Sequence, residues 1–320
     1  MKRVAVLRGG PSEEYAVSLQ SGNSVLHALK QLEYPHRDIV ITKQGEWLES
    51  GFVRQPERAL EAVDVVFIAL HGSYGEDGQV QRILERNAIP FTGSRALASA
   101  IAFNKELTKQ TIIPYNIRTP HYRRVSRREA ALYTSDVSEI FSDLGPELFL
   151  KPVSNGSSLG ARHVPSEADL KVALDELLAL YDQVLIEEYI RGREATVGVL
   201  GDFRGKELYT LPVIEIVPPA GTTLFTHEDK YNGHTEEIVP GRFSYHEKAL
   251  MSEIAQQVHD LIGCSHYSRS DFIVRDGEVY FLEVNTLPGL TSESLFPKAA
   301  AAIGLEFPQL IEHLVETARV

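Results

Sequence analysis

Val63-Asp-Val-Val-Phe-Ile-Ala-Leu-His-Gly-Ser-Tyr-Gly-Glu-Asp-Gly78 reads as a strand running straight into a loop. Its first eight residues are apolar at every position but Asp64, as in a parallel strand covered on both faces. The run ends at His71-Gly72, and the loop Ser73 to Gly78 leads into a helix expected over Gln79 to Arg86. Toward the N-terminus, Val4 to Leu7 reads as a second buried strand, followed by Gly9-Gly10-Pro11-Ser12. A helix is expected from about Ser18 to Leu32, because Leu19, Val25, Leu26, Leu29 and Leu32 mostly keep helical spacing. Arg37 to Ile41 is the strand between. This β-α-β alternation predicts an open, doubly wound α/β sheet with ligands beyond the strand C-termini. Both Gly-rich loops, 9–12 and 72–78, lie at that edge.

From Ser94 the pattern changes. Helices are expected over 94–112, breaking before Pro114, then a strand near Tyr122 to Val125 and a helix around 127–142. A strand at Leu148 to Lys151, a Ser/Gly loop, a helix over 166–181 and a strand at Val184 to Tyr189 complete an α+β unit of ordinary domain size. After Arg191 strands dominate, at 193–200, 206–216, 267–274 and 278–284, flanked by helices at 246–262 and 307–318. The expected division is 1–93, 94–190 and 191–320. The polar, patternless stretch from about 221 to 241 reads as a lid or as disorder.

Composition narrows the function. Lys and Arg number 32 against 44 Asp and Glu, a formal net charge of −12, so nucleic acid and anionic membranes are poor partners for the chain as a whole. Cys264 is the only cysteine, which suits a reducing cytosol and a packing role for that residue. The apolar run after Met1-Lys-Arg3 spans only Val4 to Leu7, too short for a secretory h-region. No stretch is long enough to span a bilayer. The expected location is the cytoplasm.

The chemistry concentrates in Phe281-Leu-Glu-Val-Asn-Thr-Leu-Pro-Gly-Leu-Thr-Ser-Glu-Ser-Leu295. Residues two apart on a strand share a face, so Glu283 and Asn285 stand side by side. Asp271 sits on the preceding apolar run, before the turn Arg275-Asp-Gly277. Two carboxylates and an amide oxygen are hard ligands that suit Mg²⁺ shared with phosphates; a half-buried hairpin with a solvated polar face is the plain alternative. Lys151, at a strand end before the loop Pro152 to Gly160, reads as a phosphate cradle or a surface loop. It is not a Walker A motif. Glu187 and Glu194 suit amine or hydroxyl groups of a nucleotide, and Lys105 offers a second cation. Arg269 shares a strand face with Asp271, either as a stabiliser of developing negative charge or as its structural ion-pair partner. His71 reads as substrate-facing or as a satisfied half-buried histidine. Glu14 suits an ammonium group, although Glu near a helix start is common for capping reasons.

In their order and spacing these pieces resemble the D-alanine–D-alanine ligases of the ATP-grasp superfamily, from Val4 to about Ala318. The resemblance rests on Gly9-Gly10 with Glu14 and Val17-Ser18, and on Ala69-Leu-His-Gly72 with Gly75-Glu-Asp-Gly78. It continues through Thr92-Gly-Ser94, Asn104-Lys105, Lys151-Pro152 with Gly156-Ser-Ser-Leu-Gly160, and Leu185-Ile-Glu-Glu188. Lys230-Tyr231, Arg269-x-Asp271 and the segment 281–295 complete it. It implies a three-domain ATP-grasp architecture, ATP as co-substrate, two Mg²⁺ (with Mn²⁺ an alternative), D-alanine as substrate and a homodimer. It further implies that Lys105, Lys151, Glu187, Glu194 and the lid residue Lys230 contact ATP, with Glu188, Tyr189 and Ile190 along adenine. Asp271, Glu283 and Asn285 would be the metal ligands. Glu14 would anchor the first D-alanine ammonium, and Ser157 and Tyr231 would join it in a group that closes the lid. Arg269 and the Gly289 N–H would be oxyanion donors. Val17, His71, Ser294 and Leu295 would line the substrate subsites, with Ser294 on the second carboxylate. The implied reaction is ATP-dependent formation of D-alanyl-D-alanine through an acyl phosphate, for peptidoglycan precursors.

The sequence departs from the family pattern at Tyr15-Ala16, which replaces a charged pair, at Ser73-Tyr74 and 112–118, and at Glu188, where many members have Lys. Tyr231 favours the amide over the D-lactate ester, and the intact Glu14, Ser157 and Ser294 argue against a different amino acid. A dinucleotide-dependent oxidoreductase would need Gly-x-Gly-x-x-Gly, which Gly9-Gly10-Pro-Ser lacks. A nucleotide-binding regulator with a dead site would not need Asp271, Glu283, Asn285 and Arg269 together.

Overall fold

The computed structural model describes residues 1–129, 137–155, 160–219 and 235–320. The expected parallel strands form β1 (Val4–Gly9), β2 (His36–Ile41) and β5 (Val65–Ile68), with helix α1 (Tyr15–Gln31) as the first crossover. Two short strands not read from the sequence, β3 (Trp47–Glu49) and β4 (Phe52–Arg54), extend the sheet in antiparallel fashion, giving the order β4-β3-β2-β1-β5. The sheet is therefore mixed at one edge. A short helix, α2 (Pro56–Ala59), precedes β5, and α3 (Gln79–Arg86) follows it. The hydrogen-bonded part of β5 is shorter than the apolar run, but Ala69 and Leu70 stay buried and carry the chain to His71.

Helices α4 (Ala96–Phe103) and α5 (Lys105–Ile112) follow, the second capped by Asn104, whose side chain accepts from the Leu107 N–H. Next come β6 (Tyr122–Ser126), α6 (Val137–Leu144), β7 (Leu148–Pro152), β8 (Arg162–Val164), α7 (Glu167–Leu180) and β9 (Gln183–Glu188). Their sheet has the order β6-β9-β7-β8. The helix expected around 127–142 is not one element: Ser126 to Glu129 is a turn closed by the Glu129 carboxylate, which accepts from the Ser126 N–H and hydroxyl. Residues 130–136 lie outside the described residues.

The third sheet contains β10 (Arg193–Phe203), β11 (Lys206–Thr210), β12 (Ile214–Val217) and β13 (Glu236–Ile238). After α8 (Tyr245–Ile262), it closes with β14 (Tyr267–Arg275) and β15 (Glu278–Asn285), in the order β13-β12-β10-β14-β15 with β11 on β10. The single strand expected over 206–216 is two. Pro212 has no N–H to give a ladder, and the chain breaks there before returning to the same β10 edge. Of the expected lid, 221–234 lies outside the described residues, while Glu236–Ile238 is strand. The chain ends with α9 (Leu295–Ala301) and α10 (Phe307–Thr317). Leu310, Ile311, Leu314 and Val315 of α10 are fully buried in the apolar cluster of the first sheet.

Candidate active site

The first wall of the site comes from α1 and the end of β5. Glu14 is the residue before α1, and Val17 lies in its first turn. His71 is buried, its Nε2 2.8 Å from Ser21 Oγ and its Nδ1 3.2 Å from the Leu287 carbonyl. The Leu290 N–H reaches the same Ser21 hydroxyl at 3.4 Å. Helix α1 and His71 thus hold both ends of the turn that carries Gly289. Burial lowers the His71 imidazole pKa, but Glu76 and Glu14 more than reverse this, so the net direction is upward. Burial and the nearby Glu14 push the Glu76 carboxyl up, against His71. A side chain at Gly72 would approach Ser12 and the Glu14 carboxylate at about 3 Å, so this position keeps the Glu14 side open.

The second wall comes from α5, β7 and β9. Lys105 donates to the Asn155 carbonyl at 2.6 Å and lies 3.3 Å from Glu283. Lys151, at the end of β7, is 2.9 Å from Glu187 Oε2, and Lys109 is 2.8 Å from Glu187 Oε1. Burial raises the Glu187 carboxyl pKa, yet the two ammonium groups bring it below its ordinary value. Both Glu187 oxygens thus face lysines at the edge of the cleft. Glu188 accepts the His121 N–H at 2.8 Å, which gives the carboxylate at this position a local structural use. The Tyr189 ring is packed by His163 at 4.3 Å between centroids, and the Arg191 guanidinium lies 5.6 Å from its centroid. Glu147 joins Arg191 and His163 behind it. Ile190 and Glu194 complete this end, Glu194 on β10 opposite Ile216 and Ile273.

The third wall is the β14–β15 pair. Asp271 faces Glu283 and Arg269 faces Asn285 in the ladder. A register shift between Asp271 and Phe272 leaves Leu282 as the extra residue, a bulge of the kind that re-aims side chains at strand ends. Arg269 makes a two-point pair with Asp271, both contacts at 2.9 Å, and the Thr196 hydroxyl donates to Asp271 at 2.6 Å. Among the described residues no three His, Cys, Asp or Glu side chains converge as a metal cluster. The donors here are two carboxylates and one amide oxygen, which fits Mg²⁺ held by one or two carboxylates plus substrate phosphates and water. Beyond β15, Ser294 accepts from the Thr291 N–H at 3.0 Å and stands before Leu295 at the start of α9. A Cβ at Gly289 would fall 2.8 Å from Ser294 Oγ, so the glycine lets that backbone approach the serine closely.

All three walls border one cleft of about 1160 Å³, and every described residue proposed from the sequence lines it: Glu14, Val17 and His71; Lys105, Lys151, Glu187, Glu188, Tyr189, Ile190 and Glu194; Arg269, Asp271, Glu283, Asn285, Gly289, Ser294 and Leu295. Ser157, Lys230 and Tyr231 lie outside the described residues. Three members of the site were not read from the sequence. Glu76 was visible within Gly75-Glu-Asp-Gly78 but had no role. Ser21 had no signal. Lys109 follows Lys105 by one helical turn, the only hint available.

The chain matches known proteins along nearly its whole length. Residues 113–316 match the profile of the D-ala D-ala ligase C-terminus, and residues 3–58 and 48–94 that of the D-ala D-ala ligase N-terminus. A D-alanine--D-alanine ligase from Pelotomaculum thermopropionicum is 40% identical over 99% of this chain and 96% of the relative. One from Desulforudis audaxviator is 37% identical over 100% and 99%. Among solved structures, the VanG D-Ala:D-Ser ligase from Enterococcus faecalis superposes with a TM-score of 0.85 at 31% identity, covering 99% of both chains. The D-alanine-D-alanine ligase from Coxiella burnetii gives 0.83 at 27%, covering 99% of this chain and 95% of the other. The mixed α/β architecture is that of these ATP-grasp enzymes, and the chain belongs to the D-alanine–D-alanine ligase family.

Proposed function

We propose that the cleft joins two D-alanines into D-alanyl-D-alanine at the expense of ATP. The observation that carries this reading is that Lys105, Glu283 and Asp271 come together in a cleft that Glu14, His71 and Ser294 also line. A carboxylate and a γ-phosphate repel one another and must be brought together before a weak electrophile can react. ATP lies with its base beside Tyr189 and Ile190 and its phosphates toward Lys105 and Lys151. Asp271, Glu283 and Asn285 would hold Mg²⁺ or Mn²⁺, which supplies charge neutralisation at the phosphates when bound. Glu14 anchors the ammonium of the first D-alanine. The carboxylate oxygen of that D-alanine attacks the γ-phosphorus, ADP leaves, and an acyl phosphate results; positioning and charge neutralisation supply most of the acceleration. The second D-alanine, its carboxylate on Ser294, attacks the carbonyl with its neutral amine, and the proton that the nitrogen sheds leaves with the departing phosphate. Arg269 and the Gly289 N–H stabilise the oxyanion, and phosphate departs. Ser157, Lys230 and Tyr231 would serve to keep water from the acyl phosphate.

The experiment is phosphate release from ATP with D-alanine alone, then with L-alanine, D-serine or D-lactate offered as second substrate. Release with D-alanine alone that stops on chelation of divalent cations is the expected result; no release with D-alanine sinks the reading. The likeness to a D-Ala:D-Ser ligase motivates the D-serine arm: preferential use of D-serine as acceptor would reassign the second subsite and leave the first intact. We also take the protein to work in the cytoplasm as a homodimer. Among the described residues no helix is long and apolar enough to cross a membrane, and sedimentation as a monomer at working concentration would remove the dimer.

A further inference from the structure

Lys105 and Lys109 are one turn apart on α5 and so share a face. Each goes to a different carboxylate of the cleft, Lys105 to Glu283 at 3.3 Å and Lys109 to Glu187 at 2.8 Å. Glu187 also holds Lys151 at 2.9 Å through its other oxygen. The Lys109 side chain is 0% exposed and that of Glu187 is 2% exposed, while Lys151 borders the cleft. With both lysines protonated, two cations and one anion leave this buried group with one positive charge in excess. Lys109 also donates to Thr119 Oγ1 at 2.5 Å and to the Pro120 carbonyl at 3.3 Å, and its Nζ lies 5.3 Å from the Tyr122 ring centroid.

We propose that Lys109 is a positioning residue for the nucleotide: it keeps Glu187 compensated in place while Lys151 turns its ammonium to an ATP phosphate. The proposal rests on the ATP-dependent reading above. With a neutral residue at 109, Lys151 could leave Glu187 only by stranding an ionised carboxylate away from water, a state proteins avoid. Lys151 would then stay with Glu187 and ATP would lose a phosphate contact. With Lys109 in place the carboxylate always has a partner, and the surplus charge belongs to the ligand. Burial pushes the Lys109 ammonium down to about 8, opposed by Glu187 and Glu188 and reinforced by Lys151, so it still carries its proton at neutral pH.

The test is calorimetric titration of ATP with Mg²⁺, without D-alanine, into wild type, Lys109→Met, Glu187→Gln and the double variant. Lys109→Met is expected to weaken ATP binding about 10- to 100-fold, the scale of one charged hydrogen bond. In the Glu187→Gln background, where no buried carboxylate is left to strand, the same substitution is expected to change affinity less than about threefold. Lys109→Arg, which keeps the charge, should recover most of the loss, and the KM for D-alanine should be unmoved in both Lys109 variants. An equal loss in both backgrounds, or none in either, overturns the proposal. If Lys109→Met alone does not fold, Lys109→Gln takes its place in the same cycle: a loss of about 10-fold or more confined to the Glu187 background supports the proposal, and an equal effect in both backgrounds refutes it. Wild type that fails to bind ATP removes the ligase reading as well, whereas wild type that binds with unchanged variants removes only the role of Lys109.

Discussion

Gly289 and Ser294 are a pair whose spacing leaves no room for a side chain, since a Cβ on the glycine would sit 2.8 Å from the serine hydroxyl. Gly289→Ala therefore either moves the turn or breaks the Ser294 contact with Thr291. A displacement near 1 Å at an oxyanion donor lowers turnover by about 100-fold. We expect that loss in kcat for Gly289→Ala, partly restored when Ser294→Ala is added, although the serine-free enzyme binds its second substrate more weakly. No restoration in the double variant would show that the crowding is not with Ser294. At this scale the sequence was legible where strand alternation operates. Asp271, Glu283 and Asn285 follow from residues two apart on strands that pair. Lys109 was not legible, because a lysine on a helix ordinarily points to water. Only the tertiary placement of β9 turns it into the partner of a buried carboxylate.

At the scale of elements, the β14–β15 pair is both a scaffold and a source of ligands, and α8 packs behind it. His259 of α8 is 2% exposed and meets Ser268 of β14 at 2.8 Å. Burial, with His266 nearby, pushes its imidazole down from 6.5 to about 4. The unfolded chain takes up this proton below pH 6.5, whereas the folded protein refuses it until about pH 4. Stability attached to this histidine is therefore present above pH 6.5 and is lost as pH falls toward 4, by at most about 1.4 kcal/mol per pH unit. Denaturant midpoints measured at pH 7 and pH 4.5 should differ less in His259→Gln than in wild type; an identical difference would contradict the assignment. Element types were read well wherever caps and periodicity agreed, as in α8, which starts at the Ser244–Glu247 capping box and ends at Gly263. They were missed where strands were short and depended on a neighbouring edge, as with β3, β4 and β13. The bulge at Leu282 was not foreseeable, because it depends on the register with β14.

At the scale of the molecule, the cleft lies where residues of the second and third sheets meet α1 and the loop after β5, so no single unit holds the site. We propose the division near 93 and 190 as the working description of the units, with one qualification supplied by α10. That helix closes the core of the first sheet from the far end of the chain, and Lys2 donates to the Val315 and Glu316 carbonyls. Removing residues 307–320 would uncover Leu310, Ile311, Leu314 and Val315, each worth about 1.5–3 kcal/mol when buried. Their sum rivals the total stability of an ordinary domain. The truncated chain is expected to lose its cooperative thermal transition, and retention of a wild-type midpoint would show that the first sheet stands without α10. The global fold was legible in outline because buried parallel strands and Gly loops announce themselves locally; the return of α10 depends on contacts more than two hundred residues apart.

The most direct measurement of the account uses D-alanine labelled with ¹⁸O in its carboxylate. If the cleft forms an acyl phosphate and the second amine displaces it, one carboxylate oxygen must leave with the phosphorus. Mass analysis should find one ¹⁸O in each released phosphate, with ADP and D-alanyl-D-alanine formed in equal amounts. Phosphate free of label, or AMP and pyrophosphate as products, would contradict the account.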